Sequence, residues 1–314
     1  MTKKQLSMND TSFKTSLMEK IAYGMGDTAC NVVFAITSSL IVYFYTNVIG
    51  MSAALVGTIL LVSRVFDGIS DLLIAQIVDK VNSPKGKARA WILWMAAPYG
   101  IASVLMFCVP PHSSTMVQAI YVFITYNLCT TGVYTALNLP YSNLAPMMTR
   151  NDDDLAKLNL FRMAMSPIGN LIVSAVTLPL INRMGGDQAA WIKVMSVWAV
   201  LALVLLLLCF FKCEEKVQNE ARKKDEKLPV PTMLKALFTN QYFWAVMLLW
   251  TVQSVSFTIT GTILPYYCKY IFNNDTWMYS ALYLTETLVL VAGIFVCSPL
   301  IKKFGKRNIA FIGG

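Results

Sequence analysis

Apolar stretches of about twenty residues alternate with short polar ones along almost the whole chain. They fall at 21–46, 54–78, 91–109, 116–139, 163–182, 190–211, 241–264 and 279–300. At 1.5 Å per residue, about twenty residues is the helix length that crosses roughly 30 Å of hydrocarbon. A ninth run begins at Ile309 and meets the last residue, Gly314. Helices satisfy their own backbone hydrogen bonds inside lipid, so the pattern predicts an all-α membrane protein.

The distribution of positive charge gives the sides. Lysines and arginines cluster before the first run (Lys3, Lys4, Lys14, Lys20) and in every second connection: Lys80 to Arg89, Arg150 to Arg162, Lys212 to Lys235, and Lys302 to Arg307. The alternate connections carry only Arg183, Lys193 and Lys269. Basic residues in short loops are retained on the cytoplasmic side, which predicts a plasma-membrane protein with its N-terminus in the cytoplasm. The first run is too long for a signal-peptide core and lacks a cleavage site, so it is expected to stay.

The segment KCEEKVQNEARKKDEKLPVP, 212–231, is the one long polar stretch between runs. Its mixed charge and two prolines discourage packing and predict a linker. The predicted organisation is therefore a six-helix bundle over 1–211, a cytoplasmic linker over 212–240, and helices seven, eight and the start of nine over 241–314. Two short stretches support a repeat of six helices. IVDKVNSPKGKARAWIL follows the second run and PLIKKFGKRNIAFI the eighth, each a basic Gly-Lys loop leading into a new helix. Two six-helix halves are a common transporter arrangement, and on that reading about four helices lie beyond this sequence.

Composition agrees with the pattern. Of 314 residues, 56% are hydrophobic and 14% charged, against about 25% charged in soluble domains. The net charge of +9 lies in loops between apolar runs rather than on one face, which argues against nucleic acid. Seven cysteines lack any metal-ligand spacing and read as small buried hydrophobes. No nucleophile–base pair or phosphate loop is present, so no enzyme is expected. Trp91, Trp191 and Trp277 fall at run boundaries and read as interface anchors. His112 follows two prolines and reads as a solvated turn residue.

Against this background the polar groups inside the runs stand out. RVFDGISDLL puts Arg64, Asp67 and Asp71 in the second run. Each charged residue at a bilayer centre costs about 2.5–3.5 kcal/mol, so a compensating role is the default expectation. Asp67 and Asp71 share one face at i, i+4, and Arg64 at i−3 can neutralise one of them. Either Arg64 and Asp67 form a packing pair with Asp71 reaching water, or the two acids hold a cation. Their hard oxygens suit Na⁺, Li⁺ or a proton. YGMGDTACN, 23–31, opens the first run with Asp27 one turn inside and Asn31 one turn further. Gly24 and Gly26 there read as close-packing positions, and Asp27 either serves a ligand or pairs with a loop cation. In YTALNLPYSNLAP, 134–146, Thr135 and Asn138 share a face, and Pro140 is expected to kink or break the helix. Glu286 is a further acid, expected to be buried. Asp152 to Asp154 are expected to begin a short helix, where acids suit the N-terminal dipole.

YGMGD…N, YFYTNVIGMSAALVGTILLVSRVFDGISD, GKARAWILW and NLPYSNLAP together resemble the glycoside–pentoside–hexuronide:cation symporters of the major facilitator superfamily, the family of melibiose permease. The resemblance covers residues 19–215 well and the remainder more loosely. It implies cation binding by Asp67 and Asp71, with Thr135 as a nearby oxygen ligand and Arg64 in support. It implies sugar binding at Asn31, Asn138 and Arg162, with Tyr23, Asp27 and Tyr141 beside them. Melibiose permease has aspartates where this chain has Asn31 and Asn138, and a lysine at the position of Cys30; the two amides lie closer to the glucuronide and pentoside members. The activity implied is cation-coupled uptake of a glycoside, pentoside or hexuronide by a monomer in the plasma membrane. No cofactor is implied beyond the coupling ion. A Na⁺-coupled lysolipid carrier of the same fold and a non-transporting sugar sensor are the alternatives.

Overall fold

A computed structural model describes residues 14–81, 83–217, 236–272 and 277–304, and every regular element among them is helical. The chain divides into two compact units, Met1–Gln218 and Asn219–Gly314.

In the first unit the helices are α1 Leu17–Ser39, α2 Ile41–Tyr43, α3 Ala53–Lys80, α4 Lys87–Leu105, α5 Thr115–Asn127, α6 Tyr134–Ser142, α7 Leu144–Met148, α8 Asp152–Arg183 and α9 Gln188–Lys212. Their starts follow local chemistry. Ser16 and Glu19 form a capping box ahead of α1, Ser52 caps α3, Asn151 caps α8 and Asp187 caps α9. Each side chain takes up a backbone N–H that the first helical turn leaves without a partner. Helix α1 packs on α8 and α9, α4 on α9 and α6, and α3 on α5.

The first run is not one straight helix as the pattern predicts. It breaks at Leu40, and the segments Leu17–Ser38 and Ile41–Val48 meet at 41°. Beyond the break, residues Phe44–Val48 form a π-helical turn. A buried aromatic cluster holds the bent part: Phe44 lies 4.8 Å from Phe107 and 5.2 Å from Trp191, ring centre to ring centre. Packing against these rings outweighs straight propagation of the helix, since buried aromatic pairs contribute about 0.5–1.5 kcal/mol beyond their area. Trp191 is thus a core residue and not an interface anchor, and Trp91 is buried too; the side chain of Trp277 lies outside the described residues.

Pro140 does not break its helix either, since α6 continues through it to Ser142. The irregularity lies upstream, in a π-helical segment at Leu128–Val133 that joins α5 to α6, and the chain turns at Asn143 before α7. A widened turn within the same run already departs from regular α-geometry, and such turns occur often at functional positions. Asp152 to Asp154 likewise do not open a separate short helix. They are the first turn of α8, which runs 32 residues to Arg183. At 1.5 Å per residue that is about 48 Å, so one end of α8 extends well beyond the hydrocarbon.

The second unit holds α10 Gln241–Tyr270 and α11 Trp277–Phe304, which pack on each other. Glu286 is exposed on α11 rather than buried. The run expected from Ile309 lies outside the described residues. Among the described residues four helical segments are long and apolar enough to cross a membrane, or five if the bent pair counts as one span. Cys30, Cys129, Cys209 and Cys213 are buried free thiols and Cys108 is half-buried; Cys268 and Cys297 have side chains outside the described residues. His112 is exposed in its loop.

The linker expected from 212 does not begin there. Lys212 closes α9, and residues 213–217 lie against the bundle, with the Val217 N–H donating to the Met147 carbonyl at 2.9 Å.

Candidate functional site

Two clusters gather the charged residues of the runs. The first lies on α3. Arg64 and Asp67 are one turn apart, with Nη1 to Oδ2 at 3.6 Å, and their side chains remain 60% and 28% exposed. Across the interface the Thr135 hydroxyl of α6 donates to Asp71 Oδ1 at 2.8 Å. Thr135 is buried, whereas Asp71 is exposed on its far side. The i, i+4 geometry of α3 thus places two carboxylates on one face. One carries a partial counter-charge, and the other a hydroxyl oxygen supplied by a neighbouring helix. Arg64 cannot cancel both acids, so one negative charge remains in excess.

Beside this face a small cleft of about 50 Å³ is lined by Phe34 of α1, Arg64 and Asp67 of α3, Tyr99 of α4, Tyr126 of α5 and Tyr134 of α6, among others. The rings of Phe34 and Tyr134 stack at 6.2 Å, and Tyr99 lies 6.1 Å from Tyr134. The Tyr99 hydroxyl donates to the Cys30 carbonyl at 2.9 Å, which fixes the ring in place. Flat apolar faces beside a few polar atoms are the usual lining of a small-molecule pocket. These four aromatic residues are not marked as site residues by the sequence, where tyrosines and phenylalanines in apolar runs read as packing. The one signal available was Tyr134, adjacent to Thr135.

The second cluster joins α1 to α8. Arg162 Nε bonds to Asp27 Oδ1 at 3.0 Å, so Asp27 pairs with a cation of the connection Arg150 to Arg162, a residue that the structure places within α8. The Arg162 guanidinium also lies 5.4 Å above the Tyr141 ring. That ring stacks on Tyr23 at 4.9 Å, and the Tyr141 hydroxyl donates to the Tyr23 carbonyl at 2.5 Å. Asn31 spends its amide on Asp27, donating to the backbone carbonyl at 2.9 Å and to Oδ2 at 3.3 Å. Gly26 makes the stack possible: a Cβ there would meet Tyr141 Cε2 at 2.6 Å and Cys209 Sγ at 2.9 Å. Tyr23 is fully buried, and its hydroxyl lies beside the Arg162 guanidinium.

Packing therefore brings Tyr23, Asp27, Asn31, Tyr141 and Arg162 together, and separately Asp71 with Thr135 and Arg64 with Asp67. Asn138 sits one turn beyond Thr135 on α6, half-buried, its side chain making no hydrogen bond to another described residue. Among the described residues no group of three or more His, Cys, Asp or Glu side chains is placed to hold a metal ion. Two carboxylates with a hydroxyl match a monovalent hard cation better than a transition metal.

Residues 22–314 match the family described as MFS/sugar transport protein. The chain belongs to the glycoside–pentoside–hexuronide:cation symporter family of the major facilitator superfamily. Similar members include an isoprimeverose transporter of Lactiplantibacillus pentosus, 31% identical, matching 94% of this chain and 61% of the relative. An inner membrane symporter of Escherichia coli (strain K12) is 32% identical over 82% of this chain and 55% of its own length. A glucuronide carrier protein homolog of the same organism is 29% identical over 93% of this chain and 64% of its own length. The chain thus spans about three-fifths of the length of these relatives. Members of this symporter family are membrane transporters rather than enzymes, in keeping with the helical architecture and the charged groups inside its runs.

Proposed function

We propose that the protein carrying this chain takes up a glycoside, pentoside or hexuronide together with Na⁺, Li⁺ or H⁺ by alternating access across the plasma membrane, with its N-terminus in the cytoplasm. The observation that carries the reading is the bond from Thr135 to Asp71. It joins an acidic face of one helix to the helix that also presents Asn138. A cation settling at Asp67, Asp71 and the Thr135 oxygen relieves the repulsion between the acids and holds α3 against α6. The sugar is gripped by Asn31, Asn138, Arg162 and the hydroxyl of Tyr23, its ring faces lying on Tyr134 and Phe34. Cation and sugar then share helix α6, and the coupling free energy between them is reciprocal.

The similarity to carriers of isoprimeverose and of glucuronide supports a sugar-sized polar cargo. Counterflow of labelled glycosides in vesicles holding the natural protein tests the reading, run with and without Na⁺ at two pH values. Sugar exchange that strengthens with one of these cations is the expected result. Accumulation by Asp71→Asn with unchanged cation dependence would sink it.

A further inference from the structure

The start of the polar connection after α9 is built into the bundle by a set of contacts that the transport site does not use. Glu215 lies at the N-terminus of α4 and accepts three consecutive backbone N–H groups: Lys87 at 2.9 Å, Ala88 at 2.8 Å and Arg89 at 2.9 Å. These are donors that an α-helix leaves unpaired, and a carboxylate there meets the positive end of the helix dipole. Gly86 permits the approach in two ways. Its φ of +107° disfavours other residues, and a Cβ at that position would lie 2.6 Å from Glu215 Oε1. From the neighbouring position, Lys216 Nζ binds Glu19 Oε1 on the first turn of α1 at 2.6 Å. The Cys213 thiol points to the Glu19 carbonyl at 3.7 Å, and the Val217 N–H donates to Met147. Arg89 completes the ring by donating through Nη2 to the Phe210 carbonyl at 2.7 Å. Five residues of apparent linker thus tie together the same-side ends of α1, α4, α7 and α9.

We propose that Glu215 is a positioning residue for transport. Its carboxylate closes a clasp in which residues 213–217 hold the ends of α1, α4 and α9 as one body. α1 carries Asp27 and Asn31, and α4 carries Tyr99, so a displacement at the end of α9 reaches both cargo-facing helices together. The inference rests on the transporter reading above. A surface charge with no such role would not need three aligned backbone donors, a left-handed glycine and a buried thiol beside it.

The test uses the natural protein in vesicles with Glu215→Ala, Glu215→Gln, Gly86→Ala and the Gly86→Ala/Glu215→Ala pair. Cys213 is 0% exposed, and its alkylation by a membrane-permeant maleimide, followed by mass spectrometry, reads the clasp without any transport. Alkylation in Glu215→Ala is expected to rise about tenfold, as charge-assisted hydrogen bonds are lost. The maximal uptake rate is expected to fall about tenfold while KM stays within about twofold, because the sugar contacts are untouched. Glu215→Gln, which keeps an acceptor oxygen but no charge, falls in between. Gly86→Ala gives the same phenotype as Glu215→Ala, and the pair is no worse than either alone. Unchanged alkylation at Cys213 overturns the clasp itself. An exposed Cys213 with wild-type uptake, a loss confined to KM, or effects that multiply in the pair overturn the positioning role. A natural protein that moves no glycoside overturns the transporter reading, and the role assigned to Glu215 with it.

Discussion

The two acidic clusters of the first unit are built in opposite ways. Asp27 is buried and bonded to Arg162 and Asn31, and Arg162 lies over the ring of Tyr141, which stacks on Tyr23. Asp67 and Asp71 share one helix face, with an arginine 3.6 Å away at the closest and a single hydroxyl bond across to α6. A closed ion pair stores its charge in fixed geometry, and breaking one half strands the other in a poorly solvated place. An open pair of acids keeps its excess charge available to a visitor. The same residue type is therefore held by partners in one cluster and left largely open in the other. The difference lies in what surrounds it, and it can be tested from both sides.

The largest expected effect is on the closed cluster. Arg162→Met leaves Asp27 buried and unpaired, a change that costs about 3 kcal/mol or more when a buried pair loses one partner. The melting temperature in detergent should fall by several degrees, and adding Asp27→Leu should recover most of it. A single variant as stable as the parent would place the pair among the weak surface bridges.

Glycines sharpen the contrast next. Gly26→Ala forces a methyl into Tyr141 and Cys209 and should cost about 2 kcal/mol, in the range of core overpacking. Gly68→Ala, beside Asp67, meets nothing within 4 Å. It should leave the melting temperature unchanged or raise it slightly, as alanine favours helix by about 1 kcal/mol. Equal losses in the two variants would show that the α3 face is packed after all.

On the open cluster the effects move from stability to affinity. Asp71→Asn should weaken cation binding about tenfold or more while leaving the melting temperature within about one degree, since an exposed acid contributes little to folding. Cation-dependent shifts in tryptophan fluorescence measure the first and thermal unfolding the second. Thr135→Val removes one neutral donor and should weaken cation binding only about fivefold, the equivalent of ~1 kcal/mol. The reverse ranking of these two variants would move the cation away from Asp71.

Much of this architecture is legible in the chain alone, because the bilayer imposes a length and lysine and arginine mark its sides. The lengths of α3 and α9 follow from that constraint, and so does the Arg64–Asp67 pair, whose partners are neighbours on any helix. The bend at Leu40 was not legible, since it depends on Phe44 meeting Phe107 and Trp191 from distant parts of the chain. The cleft residues Tyr99, Tyr126 and Tyr134 were hidden for a related reason: an aromatic side chain in an apolar run looks the same whether it faces a neighbour or a cavity. The apparent linker misled most directly. Charge and proline predict a free segment, and no local signal announces that Glu215 will find three open N–H groups at Lys87 to Arg89.

The sequence by itself determined the helical class, the order of the runs and the one-turn spacings, because each depends on neighbours within a few residues or on the thickness of lipid. Only the tertiary structure decided that Asp27 meets Arg162 across 135 residues, that Asp71 receives a hydroxyl from Thr135, and that Glu215 closes on α4. Those pairings depend on which helices pack side by side. Packing is a cooperative outcome of many small apolar contacts, and no single stretch of the chain encodes it.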